Sequence, residues 1–242
     1  MKITSPRAPA KVWIDVLKRI MPVLAKCEAN DVILFGSQAM SVYMERALAS
    51  KDIDLIVPAI TISSLEKVCE ELTQVAGKKP TYDYQVGDYL GRRYPVGHIY
   101  LTRSGFPFVV EFFQNFLGYE SVRLTPFLAL KEKWGLWIQA LSPEAIIGSR
   151  LAFRPPERIT PFNAARLNRL IRAIGTISWS QVNTFIDTFE LRTTVSAREL
   201  SRTQTKTNLD HRLLEDRSVA FQAGLGICSR LCHSEWTRPA TH

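Results

Sequence analysis

The 242-residue sequence lacks a membrane-spanning segment, because no apolar run approaches the length that a bilayer requires. Its first residues, MKITSPRAPAK, lack the apolar region of a signal peptide. The chain has only four cysteines, and Cys27 and Cys69 fall inside helical patterns, which favours buried thiols over a disulfide framework. These absences exclude membrane proteins and disulfide-rich secreted proteins, and we expect a cytoplasmic protein.

Two other features are weak or missing. The sequence has no internal repeat and no aromatic-interleaved strand motif of the RNA-recognition type. The remaining cysteines lie in Cys228-x3-Cys232-His233, a spacing that zinc permits, with His242 at the terminus. Because no second pair of ligands lies nearby, we interpret these cysteines as incidental residues on a helix face.

The charge is unevenly distributed along the chain. Apolar residues at 46% and charged residues at 22% are typical of a globular protein with a net charge of +8. Residues 150–242 contribute +6 of that charge, and all their basic residues except Lys206 are arginines. This half suits contact with a polyanion such as RNA or a triphosphate, although a solvated arginine-rich surface explains the charge equally well.

The segment from Val32 to Val57 organises the chain. An apolar run from Val32 to Phe35 ends at Gly36-Ser37, an amphipathic stretch follows, and Asp52-Ile53-Asp54 lies inside a second apolar run. The pattern predicts a strand, a tight turn, a helix from about Ser37 to Leu48, and a second strand.

This segment combines features that suit phosphate and metal chemistry. Gly36 lets the backbone approach a ligand closely, and the start of the following helix favours an anion. Asp52 and Asp54 are two residues apart on a strand, so both carboxylates project from one face. Two adjacent carboxylates repel unless a cation such as Mg²⁺ lies between them. The combination indicates phosphoryl or nucleotidyl transfer.

The same pattern resembles the polymerase β-like nucleotidyltransferase superfamily. The gap between Ser37 and Asp52 and the letters SKDIDLIV are most similar to its small prokaryotic members, which include abortive-infection (AbiEii-like) toxins of toxin–antitoxin pairs. The resemblance implies a nucleoside triphosphate bound with two Mg²⁺ ions, held by three carboxylates. An acceptor hydroxyl attacks the α-phosphate, and pyrophosphate leaves.

Glu111 is the candidate for the third carboxylate that this resemblance implies. It lies within the apolar strand predicted from Phe108 to Phe113, where a lone carboxylate is costly to bury without a compensating cation or donor. Its neighbours on the same face, Val109 and Phe113, are apolar and favour a covered face. The alternative is an edge strand that turns Glu111 to solvent.

The resemblance also implies which residues bind the nucleotide. Gly36 and Ser37 would hold the β- and γ-phosphates through backbone N–H groups and the Ser37 hydroxyl. Lys51 precedes the acid pair and could assist, although it alternates to the opposite face and reads equally well as a surface lysine. The SPEAIIGSR segment places Arg150 at a basic nucleotide-contacting position that is often Lys, and only Asn163 stands where a later acid is expected. These two departures weaken the assignment to the toxin subclass.

Further elements are predicted on both sides of this centre. Helices are expected over Pro9–Glu28, over Phe162–Ile174, and from Ser178 to about Leu191. A further helix is expected from a cap at Ser63 or Ser64 to about Ala76, with Gly77 ending it. Strands are expected over Tyr82–Val86, His98–Thr102, Phe108–Phe113 and Trp134–Leu141, with a loop at Gly91-Arg92-Arg93 that either reaches a phosphate or is simply exposed.

A domain boundary is expected near residue 142, where Ser142-Pro143-Glu144 starts a helix. The first 142 residues would form the nucleotidyltransferase core, and residues 143–242 an arginine-rich helical domain. In that domain Arg166, Arg169 and Arg172 lie largely away from the apolar helix face. Residues 193–208 read as a polar linker and residues 209–236 as a last helix.

The sequence thus predicts an α+β fold with a mixed sheet and a Mg²⁺-dependent nucleotidyltransferase. Its partners would be a nucleoside triphosphate and a molecule that carries the acceptor hydroxyl. That acceptor could be tRNA, another RNA, a protein or a small molecule such as an aminoglycoside. A toxin would also have a cognate antitoxin. One alternative is a catalytically silent binding protein or antitoxin-like regulator, and another is an RNA-binding protein. Neither explains why three acids would be kept together.

Overall fold

A mixed seven-stranded sheet with flanking helices forms the fold. The computed structural model describes residues 7–27, 31–76, 78–89, 91–151 and 161–191. Within these ranges the strands are β1 (Ile33–Leu34), β2 (Asp52–Ile56), β3 (Thr81–Tyr89), β4 (Arg92–Arg103), β5 (Phe106–Phe113), β6 (Leu128–Lys133) and β7 (Leu136–Leu141). The α-helices are α1 (Ala10–Lys26), α2 (Gly36–Val42), α3 (Ile62–Thr73), α4 (Pro143–Leu151), α5 (Pro161–Ile174) and α6 (Trp179–Thr188), and a 3-10 helix spans Ser121–Phe127. The predicted α+β class with a mixed sheet is confirmed.

The strand order is β3-β4-β5-β2-β1-β7-β6. The pairs β2–β5 and β1–β7 are parallel, and the other neighbouring pairs are antiparallel. Strand β5 therefore lies between β4 and β2, inside the sheet. Glu111 on β5 is only 5% exposed, so the alternative that placed it on a solvent-facing edge strand is wrong.

Helices α1 and α3 pack together over one face of the sheet. A Cβ on Gly97 of β4 would lie 2.7 Å from Leu65 of α3, so α3 covers the face to which Gly97 points. The next residue, His98, projects from the opposite face. Helix α1 buries Trp13, whose indole N–H donates to the Leu48 carbonyl at 2.9 Å. Burying a large apolar side chain of this kind stabilises the fold by roughly 1.5–3 kcal/mol.

The segment after the sheet begins as predicted. The Ser142 hydroxyl accepts a hydrogen bond from the Ala145 N–H at 3.2 Å and caps α4, with Pro143 as the first helical residue. Helix α4 contacts α2 and β7 as well as α5 and α6. An aromatic cluster packs α6 against the segments that follow β5; its members are Phe116, Tyr119, Phe127, Phe185 and Phe189. The division into domains near residue 142 stays a prediction.

Two predicted helices have different boundaries. Helix α2 ends at Val42 instead of Leu48, because the Ser41 hydroxyl accepts the Leu48 N–H at 3.0 Å and the chain turns back toward β2. Helix α3 is capped by Thr61, whose side chain accepts the N–H of Ser64, so neither predicted serine is the cap. The helix ends at Thr73, before the predicted Ala76.

The strand predictions need three corrections. Arg92 and Arg93 lie in β4 instead of a loop, and Arg92 forms an ion pair with Glu190 at 2.8 Å. Strand β6 was missed because none of the side chains of its LALKEK sequence is buried, so the strand shows no apolar face. Trp134 belongs to the turn before β7 and has a positive φ of 55°.

Other expectations are settled only in part. Cys69 is a buried free thiol, as predicted, whereas Cys27 is half-buried and also free. No helix among the described residues has both the length and the apolar character needed to span a bilayer. Gly77, the linker at 193–208, the last helix and the cluster of Cys228, Cys232 and His233 lie outside the described residues.

Candidate active site

The two strands at the centre of the sheet bring the predicted carboxylates together. In the parallel β2–β5 pair, Asp54 lies opposite Glu111 and Asp52 lies opposite Val109. Residues that face each other across neighbouring strands project from the same face, and so do residues two apart on one strand. Asp52, Asp54 and Glu111 therefore share one face, the one opposite α3.

The electrostatics show that Asp54 and Glu111 compete for ionisation. Burial, and next the charges of Asp52 and Glu111, raise the pKa of Asp54 well above its usual range. Burial, and next the charge of Asp52, raise the pKa of Glu111 to about 7. A hydrogen bond joins the two carboxyl groups. Without a cation the pair therefore favours sharing a proton over carrying two charges.

Gly36 brings the backbone of the turn against one of these carboxylates. Its φ is +67°, and an added Cβ would lie 1.8 Å from Asp54 Oδ2. The Phe35 N–H donates to the Asp54 carbonyl at 3.1 Å and fixes the turn to β2. A side chain at position 36 would be strained by its backbone conformation and would also displace the carboxylate. The sequence predicted an approach of the Gly36 backbone to a ligand, whereas the group that occupies this space in the structure is the Asp54 carboxylate.

A buried network of hydroxyl and amide groups holds Asp52. The Ser50 hydroxyl donates to Asp52 Oδ1 at 2.9 Å. The Gln38 amide donates to the Ser50 hydroxyl at 2.7 Å and to the Asp52 carbonyl. The Ser37 hydroxyl lies 3.4 Å from the Ser50 hydroxyl and is 6% exposed. The sequence analysis missed Gln38 and Ser50, although Ser50 stands two residues before Asp52, a spacing typical of one strand face.

Arginines surround the Asp52 side of the site. Arg166 of α5 is buried, and its guanidinium donates to the Ala49 carbonyl, immediately before Ser50. Burial, and next the charges of Arg7 and Arg150, lower the pKa of Arg166 to about 10, with a smaller contribution of the same sign from Arg169 and an opposing one from Asp52. Arg7, Arg150 and Arg169 therefore lie close enough to act on Arg166 beside the acids, and we call these four residues the arginine cluster.

The structure corrects the predicted position of Arg166 and leaves the predicted nucleotide-binding roles of Arg150 and Lys51 untested. Arg166 was expected on an exposed face with Arg169 and Arg172, but only the latter two are exposed. The signal for its burial was its spacing of four residues from Leu170, which lies on the apolar side of α5. Arg150 lies close enough to lower the pKa of Asp54. Lys51 is half-buried, and its carbonyl accepts the Val109 N–H at 3.1 Å.

The residues present fit a Mg²⁺ site by their chemistry. Carboxylate oxygens are the ligands that Mg²⁺ prefers, and a cation would relieve the repulsion between Asp52, Asp54 and Glu111. Within the described ranges Glu111 Oε2 and Gln38 Oε1 are buried without a hydrogen-bond partner, so unused acceptor oxygens lie in the site. In the described part of the chain, no three His, Cys, Asp or Glu side chains are already gathered around one point. Binding would therefore require the three carboxylates to converge.

No protein-family model matches the chain, and no curated protein matches it. Solved structures with similar folds include the antibiotic-resistance factor ANT(2″)-Ia in complex with adenylyl-2″-tobramycin, at 14% identity and a TM-score of 0.48, covering 74% of this chain and 97% of that one. JHP933 from Helicobacter pylori is also 14% identical with a TM-score of 0.48, covering 85% of this chain and 93% of that one. An antigenic nucleotidyltransferase-like protein from Paracoccidioides brasiliensis is 12% identical with a TM-score of 0.40, covering 79% of this chain and 98% of that one.

One of these neighbours is named as nucleotidyltransferase-like. Because their TM-scores lie below 0.5, we base the function on the residues of this chain. The narrower resemblance to abortive-infection toxins stays a prediction.

Proposed function

We propose that the chain is a Mg²⁺-dependent nucleotidyltransferase that moves a nucleoside monophosphate from a nucleoside triphosphate to an acceptor hydroxyl. One observation carries the proposal: Asp54 and Glu111 face each other on adjacent strands, beside Asp52 and against the Gly36 turn. Three acids so close together destabilise one another unless cations bind them, so a purely structural role does not account for them.

Asp52 and Asp54 would hold both Mg²⁺ ions, and Glu111 would complete the site on the acceptor side. When bound, the ions lower the pKa of the acceptor hydroxyl and neutralise charge on the leaving oxygens. Ser50 and Gln38 keep the Asp52 side chain and backbone in place through their hydrogen bonds. Glu111 Oε2, which has no hydrogen-bond partner in the described part of the chain, can accept a ligand without breaking a hydrogen bond seen there.

The arginine cluster would bind the triphosphate. Guanidinium groups that repel one another are stabilised by a polyanion, and arginine binds phosphate through two parallel hydrogen bonds. Arg150 lies near Asp54 and Arg166 near Asp52, so phosphates held there would lie next to the metal site. Gly36 and Ser37 would contribute backbone N–H groups, and Lys51 a further positive charge.

An RNA, including the 3′ end of a tRNA, is one acceptor that we propose. Arg169 and Arg172 are exposed on α5, next to the buried Arg166. Their charges would favour a polyanionic acceptor. We also propose that the chain acts as a toxin and that a cognate antitoxin binds it. Incubation with each labelled nucleoside triphosphate, Mg²⁺ and either total RNA or an amine-bearing polyol identifies the acceptor by the pool that gains label.

Calorimetry with ATP and Mg²⁺ tests the proposal directly. We expect ATP binding that is lost in EDTA, and the joint change Asp52→Asn with Asp54→Asn should abolish the metal-dependent part of it. Glu70→Gln, which removes an exposed acid on α3 over the opposite face, is the matched control and should bind like the wild type. Equal metal-dependent binding by the double variant and the wild type would show that the site is assigned wrongly.

A further inference from the structure

Four polar side chains form a continuous row across four strands. Asp83 on β3 pairs with His98 on β4, His98 pairs with Glu111 on β5, and Glu111 pairs with Asp54 on β2. Paired residues project from the same face, so this polar row runs from the sheet edge to the proposed metal site. The sequence analysis singled out neither Asp83 nor His98.

A dense hydrogen-bond network holds the outer half of the polar row. His98 Nδ1 lies 2.7 Å from Asp83 Oδ1, and the Tyr100 hydroxyl donates to Asp83 Oδ2 at 2.8 Å. The Gln85 amide also donates to Asp83 Oδ1, at 3.1 Å. The His98 and Tyr100 rings stack with their centroids 6.0 Å apart. The imidazole is therefore fixed in one orientation, and it is only 1% exposed.

The inner half is held much less firmly. Glu111 bonds to Asp54, which repels it when both are charged, and its Oε2 atom has no hydrogen-bond partner among the residues that the structure describes. Along its own strand the neighbours on the same face are the apolar Val109 and Phe113. The fixed imidazole of His98 is thus the polar group that borders Glu111 on the side away from Asp54. Opposed side chains on antiparallel strands have Cβ atoms only about 5 Å apart, so the ring limits how far the Glu111 carboxylate can swing toward β4.

We propose that Asp83 and His98 are positioning residues that keep the Glu111 carboxylate over Asp54, where a divalent cation binds both. Asp83 acts on His98, and His98 acts on Glu111. The inference rests on the proposed function, because it needs Glu111 to be a metal ligand. Groups that orient metal ligands typically change metal affinity or activity by roughly 10–100-fold when they are lost.

Binding of Mn²⁺ alone to the full chain, followed by electron paramagnetic resonance, measures this effect without any turnover. His98→Phe replaces the polar imidazole that Asp83 holds in place with an apolar ring that Asp83 does not hold, and we expect Mn²⁺ affinity to fall roughly 10–100-fold. Asp83→Asn leaves the ring in place and weakens its anchor, and we expect a smaller loss in the same direction. Both variants are measured at a temperature at which they are folded. If His98→Phe does not fold, the Mn²⁺ affinity of Asp83→Asn tests the inference by itself.

Tyr82→Phe is the matched control, since it removes a hydrogen bond from Tyr82 to Glu66 on the opposite face of β3. It should bind Mn²⁺ as the wild type does. Variants at His98 and Asp83 that lose thermal stability but keep wild-type Mn²⁺ affinity would overturn this inference alone and leave the proposed metal site intact. A wild-type chain that does not bind Mn²⁺ would overturn the proposed function and the inference together.

Discussion

The carboxylates at the two ends of the polar row, Asp83 at the outer end and Glu111 at the inner end, have opposite surroundings. At the outer end Asp83 accepts hydrogen bonds from Gln85 and Tyr100 and contacts the ring nitrogen of His98. At the inner end Glu111 is more deeply buried, lies against another acid and has an oxygen to which no described residue donates a hydrogen bond. Within one sheet, the carboxylate of Asp83 is surrounded by hydrogen-bonding partners, whereas that of Glu111 lies against a second acid.

This difference distinguishes Asp83, whose carboxylate stabilises the fold, from Glu111, whose carboxylate we propose binds a ligand. Burying a charge without a partner destabilises a protein, and a hydrogen-bonded charge avoids that cost. The inner end therefore lowers the stability of the free protein, and a cation bound there would restore it. The following predictions test whether the two ends differ in this way.

The largest effect is expected on the transfer reaction. Glu111→Gln keeps the shape of the side chain and removes its charge, so NTP binding should persist while the single-turnover rate falls by roughly 10²–10³-fold, on the scale of losing one preorganised catalytic group. Asp83→Asn makes the same change in charge at the outer end and should cost no more than about tenfold in rate. Equal losses at the two positions would remove the distinction between them.

Gly36→Ala should weaken the inner end by displacing Asp54. The added Cβ would overlap Asp54 Oδ2, and we expect Mn²⁺ affinity to fall at least about tenfold, as for a disturbed metal ligand. Gly105→Ala is the matched control, because Gly105 also has a positive φ, +77°, but no atom within 4 Å of an added Cβ. Metal titration of both variants separates the collision from the backbone strain that they share. A similar loss in both would assign the effect to strain.

Mg²⁺ should stabilise the wild type through the inner end. At a concentration one hundred times its dissociation constant, a ligand that binds only the folded state adds about 2.7 kcal/mol. Thermal unfolding with Mg²⁺ and with EDTA measures the difference, which should shrink in Glu111→Gln. It should be retained in Glu70→Gln. Equal stabilisation of Glu111→Gln and the wild type would place the bound ion elsewhere.

The smallest effects, of opposite sign, are expected on the metal-free protein. Asp83→Asn loses charged hydrogen bonds and should lower the free energy of unfolding by about 1.5–3 kcal/mol. Glu111→Gln relieves the repulsion with Asp54 and should leave the free energy of unfolding unchanged or raise it. Urea unfolding in EDTA compares the two variants. Destabilisation by Glu111→Gln as large as that by Asp83→Asn would mean that both carboxylates are structural.

The sequence predicted those parts of the site that depend on local spacing. Asp52 and Asp54 share a face because side chains alternate along a strand, and Gly36 marks a turn with a close approach. The shared face agrees with the structure. The predicted approach of Gly36 to a ligand and the roles assigned to these residues stay predictions. The start of α4 at Ser142 was also predictable, because an N-cap and a proline at the first helical position act within one turn.

What the sequence did not predict depends on register and packing between distant segments. Nothing local indicates that Glu111 lies opposite Asp54 or that His98 lies opposite Glu111, since strand register is set across the sheet. Arg166 was assigned to the surface because charge outweighed its spacing from Leu170. Its carbonyl partner at Ala49 lies 117 residues away, beyond any local pattern.

The position of His98 in the polar row also provides a spectroscopic reporter. His98 is the single histidine of the described residues; the other three lie in the part of the chain that the structure does not describe. Strands are spaced about 4.8 Å apart, so the imidazole lies about 10 Å across the sheet from Asp54. Its two carbon-bound ring protons, on Cδ2 and Cε1, are observable by nuclear magnetic resonance, and their chemical shifts respond to a charge at that distance. Occupancy of the inner end can therefore be followed from inside the fold, without a label and without a substrate.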